Sequence, residues 1–198
     1  MAYLILAINP GSTSTKISVY KDKEELFTKT LRHSNEELAP YKKVIDQLNF
    51  RKETIKAALK ENNIELSSLN VIVGRGGLVK PIPSGVYEVN QAMIDDIKSG
   101  KTVEHASNLG AIIANDLAME IGGGVKALIA DPVVVDELEP IARISGHKKF
   151  ERVSIFHALN QKAIAKLYAK EHGLDYNKIN VIVAHLGGGV SVGIHSNG

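Results

Sequence analysis

Along the chain, apolar residues come first in short runs and then at helical spacing. Residues 3–9, 16–20 and 25–31 carry runs of strand length, separated by NPGSTST and KDKE, which predicts three strands joined by turns. Ser34 and Glu37 have the spacing of a capping box, ahead of a short helical stretch interrupted near Pro40. FRKETIKAALKENN places apolar residues at 55, 58 and 59 and predicts an amphipathic helix. VIV at 71–73 predicts a buried strand ending in GRGG, and Asn90, after the proline-rich KPIPSG, a cap for a helix that stops at Gly100. ASNLGAIIANDLAMEIGGG is an apolar helix ended by glycines, with Ser107 or Asn108 as its cap. ALIA at 127–130 is a strand closed by Asp131-Pro132. HALNQKAIAKLYAKEHG is a helix with Gly173 just past its end, and INVIVAHLGGGVSVGIH is strand, glycine turn, strand. Three strands followed by helix–strand alternation predict an α/β layered fold with a mixed sheet.

Ile5–Ser18 can be laid over Val181–Ile194 without gaps, which sets Asn9 on His185, Gly11 on Gly187 and Lys16 on Val192. Strand–turn–strand is a common pattern, so chance and duplication both stay open at this point. Under duplication, a second copy of the opening hairpin starts near residue 178. A lone hairpin cannot bury its face, so the chain reads as the first part of a longer two-lobed protein.

With 198 residues and 44% hydrophobic content, the chain can build a sizeable core. A net charge of +2 with 23% charged residues predicts no preference for nucleic acid or membrane surfaces. The absence of cysteine excludes a disulfide scaffold, a zinc ribbon and a thiol nucleophile. MAYLILAI has no basic lead and runs into Asn-Pro-Gly, so it reads as a first strand and not as a signal peptide.

The first turn carries Gly11, which admits close backbone approach, then Ser12, Thr13, Ser14, Thr15 and Lys16. This inventory suits phosphate oxygens. It is not a Walker A loop, because a strand follows and a second glycine is lacking; an ordinary turn is the plain alternative. The second turn, Gly187–Gly189, could face a polyphosphate from another side. Four strands end near a polar group: Asn9, Arg75, Asp131 and His185. Ligands of sheet-based α/β folds sit beyond the carboxyl ends of strands. There, Asp suits Mg²⁺, Arg suits a carboxylate or a transferring phosphoryl group, and His or Asn can donate to a phosphoryl oxygen. Arg75 could equally pair with a surface acid, Asp131 start a turn, and His185 sit hydrogen-bonded in the core. His105 and His157 are further candidates. His33, His147, His172 and His195 read as solvated, as do the lysines at 162, 166 and 170, and the histidine spacing does not suit zinc.

NPGSTSTK, VGRGGLVKPIPSGVYEVN, EHASNLGA, IADPVVVDEL, FHALNQKA and HLGGGVSVG, in this order, resemble successive motifs of the butyrate kinases. These stand with acetate kinase in the actin–sugar kinase–chaperone ATPase superfamily. The forms NPGST, GRGG and GGGVS resemble the butyrate or branched-chain carboxylate branch. The resemblance implies a ribonuclease H-like lobe over 1–176, with the first hairpin of a second, ATP-binding lobe at 177–198. It implies reversible, ATP- and Mg²⁺-dependent phosphorylation of a short-chain carboxylate to an acyl phosphate, in the cytoplasm, and it allows a homo-oligomer of the full-length protein. By motif, Asn9, Ser12, Ser14 and Lys16 fall in a first phosphate loop, and Arg75 is the carboxylate and transition-state arginine. Asp131 is the Mg²⁺-associated aspartate, His157 and His185 are active-site histidines, Gly187, Gly188 and Gly189 a second phosphate loop, and His105 a further substrate-side histidine. The adenosine segment of such enzymes falls beyond this chain, so the 198-residue piece by itself is expected to be inactive. The rival expectations are an acetate or propionate kinase, and a nucleotide-binding module of the same superfamily without acyl chemistry.

Overall fold

The computed structural model describes residues 2–99, 103–187 and 189–198. It divides into two compact units, one made of Met1–Lys80 with Gly85–Ala130, the other of Pro81–Ser84 with Asp131–Gly198. The lobes expected at 1–176 and 177–198 come from the resemblance, and the division into compact units does not bear on them.

The first unit is built on a six-stranded mixed sheet. Strands β1 (Leu4–Pro10), β2 (Ser14–Lys21) and β3 (Glu24–Arg32) form an antiparallel meander. Next come α1 (Asn35–Leu38) and α2 (Leu48–Glu61), then β4 (Val71–Arg75), β5 (Val86–Glu88), α3 (Gln91–Lys98), α4 (Asn108–Ile121) and β6 (Lys126–Ala130). The sheet order is β3-β2-β1-β4-β6-β5, with β1, β4 and β6 parallel to one another. The meander places alternate residues in the core: Leu6, Ile8, Ile17 and Val19 are buried while β3, at the edge, is mostly exposed and charged. The first half of helix α4, Asn108–Ala114, is buried all round, and Leu109, Ile112, Ile113 and Leu117 are fully buried, while Met119 and Glu120 near its end are exposed. It lies backbone against backbone on β4: a Cβ on Gly74 would strike the carbonyl of Gly110, and one on Gly110 would strike that of Arg75.

The capping box at Ser34 and Glu37 is formed, and Asn90 caps α3 by accepting from the Met93 amide at 3.0 Å. The expected stop at Gly100 lies outside the described residues. Three expectations differ. Strands β1 and β2 run further into the first turn than the apolar runs do, because Pro10 pairs with Thr15 beyond the reach of β4. Strand β5 is three residues long, too short for alternation to reveal. Neither Ser107 nor Asn108 caps α4 by its side chain. Instead Asn108 accepts from the Leu78 amide at 2.8 Å and donates to the Val103 carbonyl at 3.1 Å, which ties the GRGG loop to the helix start.

The second unit holds α5 (Ala158–Glu171) and an antiparallel hairpin of β7 (Asn180–Leu186) and β8 (Val190–Ser196). Val183 and His195 are buried on one side of the hairpin, while Ile182, Val192 and Ile194 on the other are more than half exposed. Two residues read as solvated are buried here. Lys162 keeps 6% of its surface because its ammonium meets Glu137 at 2.7 Å. His195 is covered because its Nδ1 lies 3.1 Å from the Tyr176 hydroxyl. In the first unit His33 is buried too, against Thr15 and Phe50.

Candidate functional site

The candidate residues fall into two groups, one in each unit. In the first unit, Asn9 stands one residue before the end of β1, opposite Lys16 of β2, so both side chains share a face. Arg75 ends the neighbouring β4, and its Nη1 donates to Asn9 Oδ1 at 3.3 Å. Burial depresses the Arg75 pKa, yet a guanidinium stays charged. His105 is held by Ser107, whose amide donates to Nδ1 at 3.1 Å and whose hydroxyl lies 2.7 Å from it. Desolvation first, and the Arg75 charge second, push the His105 pKa below the usual imidazole value. Nδ1 is thus an acceptor, and the neutral ring carries its hydrogen on Nε2.

The turn after β1 has a distinctive polarity. The Ser14 carbonyl accepts from the Gly11 amide at 2.7 Å, the Thr13 carbonyl accepts from the His33 amide at 2.9 Å, and the Ser12 carbonyl accepts from Arg51 at 3.0 Å. Ser14's carbonyl takes a second bond, also from Arg51, at 3.0 Å. Three consecutive carbonyls are therefore engaged by donors of the protein. Among the described residues, the amides and hydroxyls of Ser12 and Thr13 and the ammonium of Lys16 have no such partner, and Ser12, Thr13 and Lys16 are exposed. A turn with three carbonyls occupied and the Ser12, Thr13 and Lys16 donors open suits an anion.

Arg51 was missed from sequence. It lies on α2 at the spacing of Ile55, Ala58 and Leu59, so an arginine on the apolar stripe was the available signal. Removing an ion from water costs several kcal/mol. Hydrogen bonds from a charged donor return about 1.5–3 kcal/mol each, and Arg51 makes five of them.

In the second unit, Asp131 follows the last residue of β6 with a φ of 37°, a left-handed conformation that costs about 1 kcal/mol or more outside glycine. Its Oδ1 accepts from the Ser84 hydroxyl at 2.7 Å, and the Ser84 amide donates to Glu137 at 3.0 Å. Glu137 in turn holds Lys162. Burial opposes the Lys162 charge, but Glu137, Tyr176 and Asp131 outweigh it and raise the pKa. Among the described residues no three His, Asp or Glu side chains form a metal cluster. A single anchored carboxylate still fits Mg²⁺, which takes one or two carboxylates and fills its shell with water and phosphate oxygens.

His157 and His185 stack, with ring centroids 3.7 Å apart and planes within 7° of parallel. Nδ1 of His157 lies 2.9 Å from the Ser191 hydroxyl, which also accepts from Gln161 at 2.9 Å, and Asn160 Nδ2 lies 2.9 Å from Nδ1 of His185. Gly187 and Gly189 border the pair: a Cβ on Gly189 would stand 3.2 Å from His157 Cε1. Gly188 lies outside the described residues. Ser191, Asn160 and Gln161 were not singled out from sequence, since nothing local marks a serine on a strand or an amide on a helix as the partner of a histidine.

Over its whole length the chain is similar to proteins named butyrate kinase. Butyrate kinase 1 of Clostridium acetobutylicum is 61% identical over 196 residues, 99% of this chain and 55% of that protein. Butyrate kinase 2 of the same organism is 57% identical over 198 residues, 100% of this chain and 55% of that protein. The chain thus spans about half the length of the relatives it matches. No family model matches it. Among solved structures, the acetate kinase of Porphyromonas gingivalis superposes with a TM-score of 0.70 at 15% identity, over 98% of this chain and 55% of the other. A propionate kinase from Francisella tularensis superposes with a TM-score of 0.63 at 18% identity, over 96% of this chain and 54% of the other. At such identities the likeness shows the fold, the mixed sheet with flanking helices shared with those kinases.

Proposed function

We propose that the protein containing this chain is a carboxylate kinase. It moves the γ-phosphoryl group of ATP to butyrate or a similar short or branched carboxylate and runs reversibly through an acyl phosphate. The observation that carries the reading is the cationic end of the first unit's sheet, rich in open donors: the turn from Gly11 to Thr15 with Lys16, Asn9 and Arg75 beside it. The whole-length similarity to butyrate kinases supports the same reading.

A carboxylate is ionised at neutral pH, so the nucleophile needs no general base. One of its oxygens forms the new bond to the γ-phosphorus as the bond to the β,γ-bridging oxygen breaks, and ADP leaves with that electron pair. The protein supplies alignment and charge. In this reading Asn9, Ser12, Ser14 and Lys16 bind phosphate oxygens, and Arg75 holds the carboxylate and the equatorial oxygens. His105, neutral with hydrogen on Nε2, donates on the substrate side. In the second unit Asp131, fixed by Ser84, would hold Mg²⁺, which neutralises phosphate charge when bound. His157 and His185, steadied by Ser191 and Asn160, donate to phosphoryl oxygens, and Gly187–Gly189 admit close phosphate approach. No helix among the described residues is long and apolar enough to cross a membrane, and we place the enzyme in the cytoplasm.

The test is hydroxamate formation by the full-length protein from ATP, hydroxylamine and acetate, butyrate or isobutyrate. Trapped butyryl or isobutyryl hydroxamate in excess over the acetyl product is expected. Hydroxamate only from acetate moves the assignment to acetate kinase. ATP binding with no hydroxamate from any acid overturns acyl transfer.

A further inference from the structure

Arg51 lies in the first turn of α2, and no part of it reaches solvent. All five of its N–H groups are used. Nε and Nη2 donate to Gln47 Oε1 at 3.0 and 2.9 Å, Nη1 to the Ser14 carbonyl at 3.0 Å and to Thr15 Oγ1 at 2.9 Å, and Nη2 to the Ser12 carbonyl at 3.0 Å. Every acceptor is neutral. Among the described residues no carboxylate pairs with this guanidinium, and the neighbouring His33, linked to it through Thr15 Oγ1, is kept neutral by burial and by Arg51 itself. A charge with no counter-ion in a poorly polarisable interior keeps a longer-ranged field than one at the surface. The two backbone acceptors that Arg51 occupies are carbonyls of the first glycine turn. Lysine, with a point charge and no planar fork, could not span the same acceptors.

We propose that Arg51 is the positioning residue of the phosphate loop. Its fork keeps the Ser12 and Ser14 carbonyls and the Thr15 hydroxyl turned inward, so that the amides and hydroxyls of Ser12 and Thr13 face outward with Lys16. Its uncompensated charge draws the ATP phosphates to those donors. The proposal rests on the reading of Gly11–Lys16 as a phosphate site, and it adds a residue that touches no substrate. It also accounts for a buried arginine with no acid beside it, an arrangement that stability alone does not favour.

The test is steady-state kinetics of the full-length protein as wild type, Arg51→Met and Arg51→Lys, with thermal unfolding of each. In Arg51→Met the KM for ATP should rise about 10-fold or more and kcat fall by a similar factor, while the KM for the carboxylate stays within about twofold. Arg51→Lys, with charge but no fork, should fall between. A purely structural role would lower the unfolding temperature and leave the KM for ATP of the folded protein unchanged, and a folded Arg51→Met with wild-type ATP kinetics overturns the proposal. Should Arg51→Met fail to fold, Arg51→Lys decides: a wild-type KM for ATP overturns the proposal as well. A wild type with no ATP-dependent acyl transfer removes the kinase reading and this proposal together. An active wild type matched by its Arg51 variants removes this proposal alone.

Discussion

The two glycine hairpins have the same outline and different interiors. Strand β7, Asn180–Leu186, lies 176 residues after β1, Leu4–Pro10, and β8 begins at Val190, the same distance after Ser14. The pairing nevertheless differs by one residue. Pro10 pairs with Thr15 in the first hairpin, whereas Leu186 pairs with Val190 in the second, across a shorter turn. A slip of one residue exchanges faces. Asn9 therefore faces Lys16, while His185 faces Ser191 and not Val192, the residue that gapless alignment would put there. The same strand pattern thus delivers a lysine to one turn and a serine to the other. The supports differ as well. The first turn is held from below by Arg51 and lies in a six-stranded sheet, whereas the second borders the stacked histidines and has one apolar face uncovered.

The sharpest way to break this comparison is to add a side chain to each turn. A Cβ on Gly189 stands 3.2 Å from a His157 ring that cannot retreat without disturbing its 3.7 Å stack on His185, while one on Gly11 meets Ser14 at ordinary distances of 3.5 and 3.6 Å. In the full-length protein Gly189→Val should lower kcat about 100-fold, as misplaced catalytic groups do, with its unfolding temperature within a few degrees of wild type. Gly11→Ala should cost less than about 10-fold. If the order is reversed, the first turn and not the second is the one limited by space.

Acid should weaken both units by a similar mechanism, a smaller effect. His33 in the first unit and His195 in the second have pKa values lowered chiefly by burial, with Arg51 and Lys162 respectively adding to it. The unfolded chain then binds protons at a higher pH than the folded one. The stability these two residues contribute is present above the unfolded histidine pKa of about 6.5 and is lost as the pH falls through the folded values. Unfolding temperatures between pH 7.5 and 5 should fall with acid, and His33→Asn and His195→Asn should each flatten part of that slope. A profile unchanged by either variant would mean that carboxylates govern this range.

The smallest effect concerns the uncovered face of β7–β8. Ile182→Lys with Ile194→Lys should reduce self-association of the 198-residue chain on size-exclusion chromatography, because both positions are about three-quarters or nearly so exposed. The fold should be preserved. Equal self-association would show that this face does not drive it.

Most elements were legible because they rest on local rules. The apolar run LILAI, the Ser34–Glu37 box, the Asn90 cap and Gly173 past α5, with a φ of 65°, each act over a few residues. The candidate site was legible as residue types at strand ends, since the parallel order of β1, β4 and β6 brings Asn9 and Arg75 to one edge. What escaped depends on partners far along the chain. Lys162 read as a solvated helix position until Glu137 covered it, and His33 and His195 acquired neighbours 18 and 19 residues away. GRGG read as the end of a strand, and nothing local marked Gly74 of that stretch and Gly110 of α4 as a pair, both required by the contact of α4 with β4.

From the chain alone came the order of strands and helices except for β5, the two glycine turns and the chemical types gathered at strand ends. Periodicity and capping are set by neighbours in sequence, so they survive without a fold. The tertiary structure decided which charges are buried, which carbonyls of the first turn are occupied and which residue faces His185. Those depend on strand register and on desolvation by distant segments, and neither is encoded within any short stretch.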